Sequence, residues 1–312
     1  MIEDISTEKF IQITNISKSF QQNTEKLNAL SDITMNINKG SIYGLVGSNG
    51  AGKTSLFKIL AGVYRQDQGQ VSIGGEEVFE NTDVKGKTVF IPDSLYFFSH
   101  YSVLDMARFY QKIYSSWSEE RYQKLKEAFQ LNEKMKIQHM SKGMQRQAAF
   151  WLALSIVPET LILDEPLDGL DPVMRKKVKN LIIQDTASRS MTVLISSHNL
   201  RDLEDLCDSV GILHQGRLIL EKDLDDLKSD INKIQVAFPG APPEGLFKDR
   251  QVLYQETRGS VQLYIVRGKQ EDITADLTKY QPILLDNLPL TLEEIFIYEM
   301  GGIGYAIENI II

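Results

Sequence analysis

Cysteine is almost missing from this chain. One residue, Cys207, in 312 excludes an intramolecular disulfide and fits a reducing compartment. Long hydrophobic runs are missing too: the longest, 148–157, is about half of the roughly 20 residues that a membrane-spanning helix needs. The opening MIEDISTEKF has no basic region followed by an apolar stretch, so no export signal is expected. Basic residues are outnumbered, 34 Lys and Arg against 42 Asp and Glu, which leaves a formal charge of −8. That balance argues against a general nucleic-acid binder, whose affinity rests on basic side chains neutralising phosphates, although a local basic patch stays compatible with it. No internal repeat and no low-complexity linker is visible.

What is present is a globular composition, 42% hydrophobic and 24% charged, at a length that suits one large domain or two ordinary ones. Strand patterns fall at 8–16, 30–38, 41–46, 70–74, 87–92, 160–164, 191–196, 209–214 and 217–221. Helical patterns fall at 52–61, 103–114, 119–130, 143–156, 172–184 and 199–206. The later strands are separated by helices, which implies parallel strands joined by crossovers. The helical stretch from about 94 to 150 interrupts the strand series and reads as an inserted subdomain, with Ser102 and Ser118 as N-caps. The charged segment EKDLDDLKSD, 221–230, closes a first domain, 1–230. Strands at 233–238, 251–257, 261–266 and 282–286 and helices at 270–279 and 291–299 make 231–312 a small α+β domain, its last helix opened by the capping box Thr291…Glu294. The apolar tail GGIGYAIENIII reads equally as edge strand, dimer contact or disorder.

The strongest chemical signal is a strand, 41–46, running into Gly47-Ser48-Asn49-Gly50-Ala51-Gly52-Lys53-Thr54-Ser55 and then a helix. Glycines let backbone N–H groups turn inward around a polyphosphate. The lysine reaches the outer phosphates, the threonine hydroxyl can ligate Mg²⁺, and the helix start adds its positive end. The strand–loop–helix context favours this over a plain glycine turn. TLILDEP, 160–166, is a buried strand with Asp164 and Glu165 at its carboxyl end, where open parallel sheets bind ligands. Alone such a pair reads as a solvated loop; beside a phosphate loop, Asp164 suits the Mg²⁺ shell and Glu165 suits a water-activating base. His198, just past TVLISS, is either a cap or a group that polarises a terminal phosphate. Ser141-Lys142-Gly143-Met144 precedes an apolar helix and reads either as an ordinary cap or as a phosphate contact. Asp171 before Pro172 reads first as an N-cap, and Phe20 reads as core or as a ring for adenine.

These pieces in this order resemble the ATP-binding subunit of ABC transporters, over roughly residues 8–225. The resemblance implies an α/β fold, a P-loop NTPase of the ABC ATPase type with an inserted helical subdomain. It implies ATP and Mg²⁺ as ligands, and ATP hydrolysis coupled to transport. Glu165 would be the catalytic base, His198 the switch histidine, Lys53 the phosphate-loop lysine, Asp171 the D-loop aspartate and Phe20 the adenine-stacking aromatic. Met140-Ser141-Lys142-Gly143-Met144 stands where the family has LSGGQ; Ser141 and Gly143 are kept, Lys142 and Met144 depart. SKGM is similar to forms among ABC-2-type export ATPases, and the separate C-terminal domain also looks like that subgroup, of the antibiotic-response and acetoin-utilisation operon flavour. The implied partners are an integral-membrane permease and a second ATPase subunit, identical or related, at the cytoplasmic face of the cell membrane, with no nucleic acid expected. The alternatives are a soluble ABC-type switch on ribosome or DNA, and a weakly active half of a heterodimeric pair.

Position 93 departs from the resemblance, since the family usually has glutamine there and this chain has Asp93. A carboxylate is a hard oxygen ligand, so Asp93 is expected in or near the Mg²⁺ shell, against the plainer reading of a turn residue after Pro92. The aromatics that follow, from Leu95 to Tyr101, divide evenly between a groove for a permease helix and core packing.

Overall fold

The computed structural model describes residues 8–22, 25–243 and 245–302. Positions 303–312 of the apolar tail lie outside the described residues. The chain divides into two compact units, Met1–Glu221 and Lys222–Ile312.

The first unit opens with a long antiparallel pair, β1 (Lys9–Gln22) and β2 (Glu25–Asn38). Ile11 and Ile13 on one strand and Leu30, Ile33, Met35 and Ile37 on the other are buried, which fixes the register because a one-residue slip would turn that set to solvent. β3 (Ile42–Val46) is buried throughout and feeds α1 (Lys53–Leu60) through the glycine loop. Next come β4 (Gln68–Ile73), the short β5 (Glu76–Glu77), α2 (Thr82–Lys87) and β6 (Thr88–Ile91). Three helices then intervene: α3 (Val103–Ile113), opened by a Ser102–Asp105 capping box, α4 (Glu119–Phe129), capped by Ser118, and α5 (Lys142–Ser155), capped by Ser141. β7 (Thr160–Asp164), α6 (Pro172–Arg189), β8 (Thr192–Ser197), α7 (Leu200–Glu204), β9 (Ser209–His214) and β10 (Arg217–Asp223) complete the unit.

Two sheets result. One has the order β2-β1-β4-β5; the other has six strands in the order β10-β9-β3-β8-β7-β6. In the second, β9, β3, β8, β7 and β6 are parallel neighbours, so their carboxyl ends share one edge. β10 returns as a hairpin through Gln215 and Gly216, both at positive φ, as a two-residue turn of this hand requires. The lone cysteine is buried, and burial pushes its thiol well up, which makes it a packing residue and not a nucleophile.

The second unit holds α8 (Leu224–Ser229), β11 (Ile231–Ala237), β12 (Val252–Arg258), β13 (Val261–Arg267), α9 (Gln270–Thr278), β14 (Leu284–Leu288) and α10 (Leu292–Gly302). Its antiparallel sheet, β12-β13-β11-β14, packs Ile234, Val236, Tyr264 and Val266 against Ile273 and Leu277. The division expected after residue 230 falls instead within β10. The physical reason is that Leu224 and Leu227 of α8 are buried, and α8 packs on β11 and α10. Among the described residues no helix is long and apolar enough to cross a membrane.

Candidate active site

The strand register brings the expected site residues to one edge. Val46 at the end of β3 pairs with Ser197 of β8, and Ser196 pairs with Asp164 of β7. Gly47, the first residue of the loop, has no room for a side chain: a Cβ there would lie 2.3 Å from the Leu213 carbonyl oxygen. Lys53, buried at the start of α1, donates from Nζ to the Gly47 carbonyl at 2.5 Å and lies 3.4 Å from Glu165 Oε1. The Lys53 ammonium therefore folds over the loop that the glycines leave open, as a phosphate-reaching lysine must.

Asp164 is buried, with 1% of its surface exposed, and both of its oxygens are engaged. The Thr54 hydroxyl donates to Oδ2 at 2.6 Å and the Ser196 hydroxyl to Oδ1 at 2.7 Å. Among the described residues no basic side chain pairs with it. A buried carboxylate without a counter-charge is costly unless a cation joins it, and two hard oxygens on Thr54 and Asp164 are the donor type that Mg²⁺ takes. The residues present fit the ion.

Glu165 follows at φ 46, a left-handed conformation that non-glycine residues adopt at a cost and that concentrates at functional sites. Its backbone N–H donates to Ser196 Oγ at 3.0 Å, which ties the turn to β8. Oε2 accepts from the His198 backbone N–H at 3.1 Å and lies 2.9 Å from His198 Nδ1; Oε1 is buried and has no hydrogen-bond partner. An Nδ1 that faces a carboxylate carries its proton there, so Nε2 is the atom left for a substrate oxygen. Asp168 Oδ2 stands 4.0 Å from the same Nδ1. A carboxylate whose buried Oε1 faces the Lys53 ammonium without a hydrogen bond, with an imidazole beside its other oxygen, can hold a water, take its proton and face an anionic leaving group.

The other expected residues are placed differently. Ser141 caps α5, its hydroxyl accepting from the Met144 N–H at 3.3 Å, with Lys142 and Gly143 in the first turn. Asp171 caps α6 by accepting from the Val173 and Met174 N–H groups. Phe20 meets the Tyr64 ring edge-on at 5.3 Å, and Lys18 Nζ lies 5.4 Å from the Phe20 centroid. Asp93 lies beyond Ile91, which pairs with Leu163, so it shares the edge with Asp164. Its carboxylate, however, is paired with Arg146 at 3.4 Å. No hydrogen bond or ion pair joins it to Thr54, Asp164 or Glu165 among the described residues. Sequence reasoning missed Ser196, Tyr64 and Arg146. Only Ser196 left a signal, as the polar residue facing Asp164 once β7 and β8 are aligned.

A glycine loop, a buried lysine, a buried carboxylate and a carboxylate–imidazole pair at converging parallel strand ends are the parts of a P-loop nucleoside-triphosphatase fold. Comparison with known proteins carries this further. The family model described as ABC transporter matches residues 30–168. The bacitracin transport ATP-binding protein BcrA of Bacillus licheniformis is 34% identical, over 70% of this chain and 71% of that protein. The ABC transporter ATP-binding protein YtrB of Bacillus subtilis (strain 168) is 29% identical, over 94% of this chain and 98% of that one. Among solved structures, one described as the ATP-binding subunit of an ABC transporter superposes with a TM-score of 0.64 at 27% identity, over 70% of this chain and 92% of that chain. A dimeric post-hydrolysis cassette bound to ADP and Pi superposes at 0.62 and 20% identity, over 69% and 98%, and shares the fold. The chain belongs to the ATP-binding proteins of ABC transporters. It is an ATPase subunit that uses ATP with Mg²⁺.

Proposed function

We propose that this subunit dimerises around two ATP molecules and drives a separate membrane permease in the export direction, held at the cytoplasmic face of the membrane through that permease. The observation that carries the reading is the Glu165–His198 pair beside Lys53. Glu165 takes the proton of the attacking water and His198 holds the base in place and presents Nε2. Lys53 and the loop from Gly47 to Ser55 (Ser48, Asn49, Gly50, Ala51, Gly52 and Thr54 between them) bind the phosphates. Thr54 and Asp164 would hold Mg²⁺, which supplies charge neutralisation on the phosphate oxygens. Ser141, Lys142, Gly143 and Met144 at the start of α5, with Asp171, would face the ATP of the second subunit, and Phe20 would stack on adenine. The export direction rests on the likeness of Ser141-Lys142-Gly143-Met144 to the ABC-2-type export ATPases, transport on BcrA, a bacitracin transport ATP-binding protein, and the dimer on the cassette solved in dimeric form.

The permease surface would be the groove of 160 Å³ lined by Ile91, Leu95, Phe97, Tyr110, Tyr114 and Leu152. Tyr96 is 81% exposed, and Phe98 and Tyr101 are exposed with it, so these aromatics belong to the surface and not to the core. The test is to isolate the chain from membranes in mild detergent and identify what accompanies it. An integral-membrane protein, together with ATP-induced doubling of mass in Glu165→Gln, is the expected result. Recovery with ribosomes or DNA would overturn it.

A further inference from the structure

We propose that Arg146 is a positioning residue that fixes the signature helix α5 to the end of β6, and that Asp93 serves it as counter-charge. Arg146 stands two residues beyond Met144, and 8% of its side chain is exposed. Its guanidinium forks onto the chain just past β6: Nη1 donates to the Pro92 carbonyl at 2.9 Å, and Nη2 donates to the Asp93 carbonyl at 2.9 Å. Both carbonyls lie beyond the last ladder residue, Ile91, where a strand end leaves acceptors unpaired. Nη2 also reaches Asp93 Oδ1 at 3.4 Å. A buried guanidinium needs a negative partner, and Asp93 is the one carboxylate paired with it among the described residues. A glutamine at position 93 would supply no charge. The carboxylate is therefore explained by Arg146, without a place in the metal shell.

The same helix is held from a second side. A Cβ on Gly143 would lie 2.7 Å from the Gly169 carbonyl oxygen, so the first turn of α5 packs directly on the loop that follows β7. Gly143 and Arg146 are three residues apart and share a helix face. Together they lock the first two turns of α5 to the loops after β6 and β7, which carry Asp93 and Glu165. The orientation of Ser141, at the N-cap, follows from that lock. This rests on the proposed reading that Ser141 and its neighbours meet the ATP of a second subunit.

The experiment uses the full chain in the Glu165→Gln background with four sequences: parent, Asp93→Asn, Arg146→Lys and the pair. ATP-driven dimerisation is followed by light scattering, and protomer affinity for a fluorescent ATP analogue is titrated against Mg²⁺. Either single change is expected to weaken dimerisation about tenfold, within the range seen for residues that couple two sites. The Mg²⁺ requirement should stay constant, and the double variant should be no worse than the poorer single. A raised Mg²⁺ requirement in Asp93→Asn alone would assign Asp93 to the metal and overturn the proposal; multiplicative effects, or none, would overturn it too. If Arg146→Lys fails to fold, the exposed Asp93→Asn decides by the same two readouts. A parent that does not dimerise on ATP refutes the dimer reading separately. The clamp is then scored by kcat with Glu165 intact, where a non-additive loss at constant KM is expected and additive or absent effects refute it.

Discussion

Gly47 is glycine because of a neighbour: the Leu213 carbonyl occupies the space a side chain would need. Gly47→Ala must push β3 and β9 apart at the mouth of the phosphate loop. A misplacement of about 1 Å there can cost about a hundredfold in turnover, and steady-state ATPase of Gly47→Ala should show a loss of that order. Glu165→Gln removes the base while keeping its shape. A general base contributes about 10²–10⁴-fold, so single-turnover hydrolysis should slow by that factor while ATP still binds. These residues were legible in the sequence because phosphate chemistry tolerates few substitutes at fixed spacing along the chain. Ser196 was less so, since its role exists only once β7 and β8 lie in register. Arg146 was hidden because its partners are two backbone carbonyls, which carry no sequence signature.

Among the elements, those with a buried face matched their pattern closely, and those held by polar contacts did not. β1 and β2 run on to Gln22 and from Glu25, well past the expected 8–16 and 30–38, because their outer halves pair with each other while carrying mostly polar side chains. α2 leaves no helical pattern because Val84 is the one residue it buries; Asn81 holds it by accepting from the Asp83 and Val84 N–H groups. α4 and α6 are tied by Asp185, whose side chain is 4% exposed and which takes Arg121 at 2.5 Å and Arg189 at 3.1 Å. Asp185→Ala removes the carboxylate that Arg121 and Arg189 share, although Arg189 keeps its bond to the Pro158 carbonyl, and losing charged hydrogen bonds of this kind costs about 2 kcal/mol; urea unfolding should show a loss of that size. Asp67 reports on β1 in the opposite way. The Lys18 ammonium, then the Ser19 hydroxyl, hold its carboxyl down at about 2, against an ordinary 3.8. A carboxyl lowered by folding adds stability above the ordinary value and loses it as pH falls towards 2. Asp67 is partly exposed, so screening keeps its contribution under about 1 kcal/mol. Asp67→Asn should therefore lower Tm slightly at pH 7, and the difference should close between pH 4 and about 2.

At the scale of the molecule, the sequence carried chemistry for the first unit and only a fold for the second, whose strands and helices after residue 231 stand close to where they are expected. Chemistry at strand ends imposes motifs on the nucleotide unit, whereas Ile234, Val236, Tyr264 and Val266 ask only for apolar residues of suitable size. The compact division between Glu221 and Lys222 differs from the one expected after residue 230 for the same reason. Leu224 and Leu227 look like one face of a charged surface helix until β11 and α10 are seen to cover them. Every site residue named above lies before Glu221, and the first unit buries its own core from Phe10 to Leu213. A chain ending after Asp223, which keeps β10 whole, should therefore bind Mg²⁺–ATP within about twofold of the full chain, since the site residues and the core beneath them all belong to the first unit and effects at independent sites add within about 0.5 kcal/mol. Calorimetry of the full chain should correspondingly resolve two transitions, of which ATP raises only the one the shortened chain retains, because a ligand stabilises the unit that binds it. A shortened chain that aggregates, or a single transition raised as a whole by ATP, would mean that the second unit is part of the fold that makes the site.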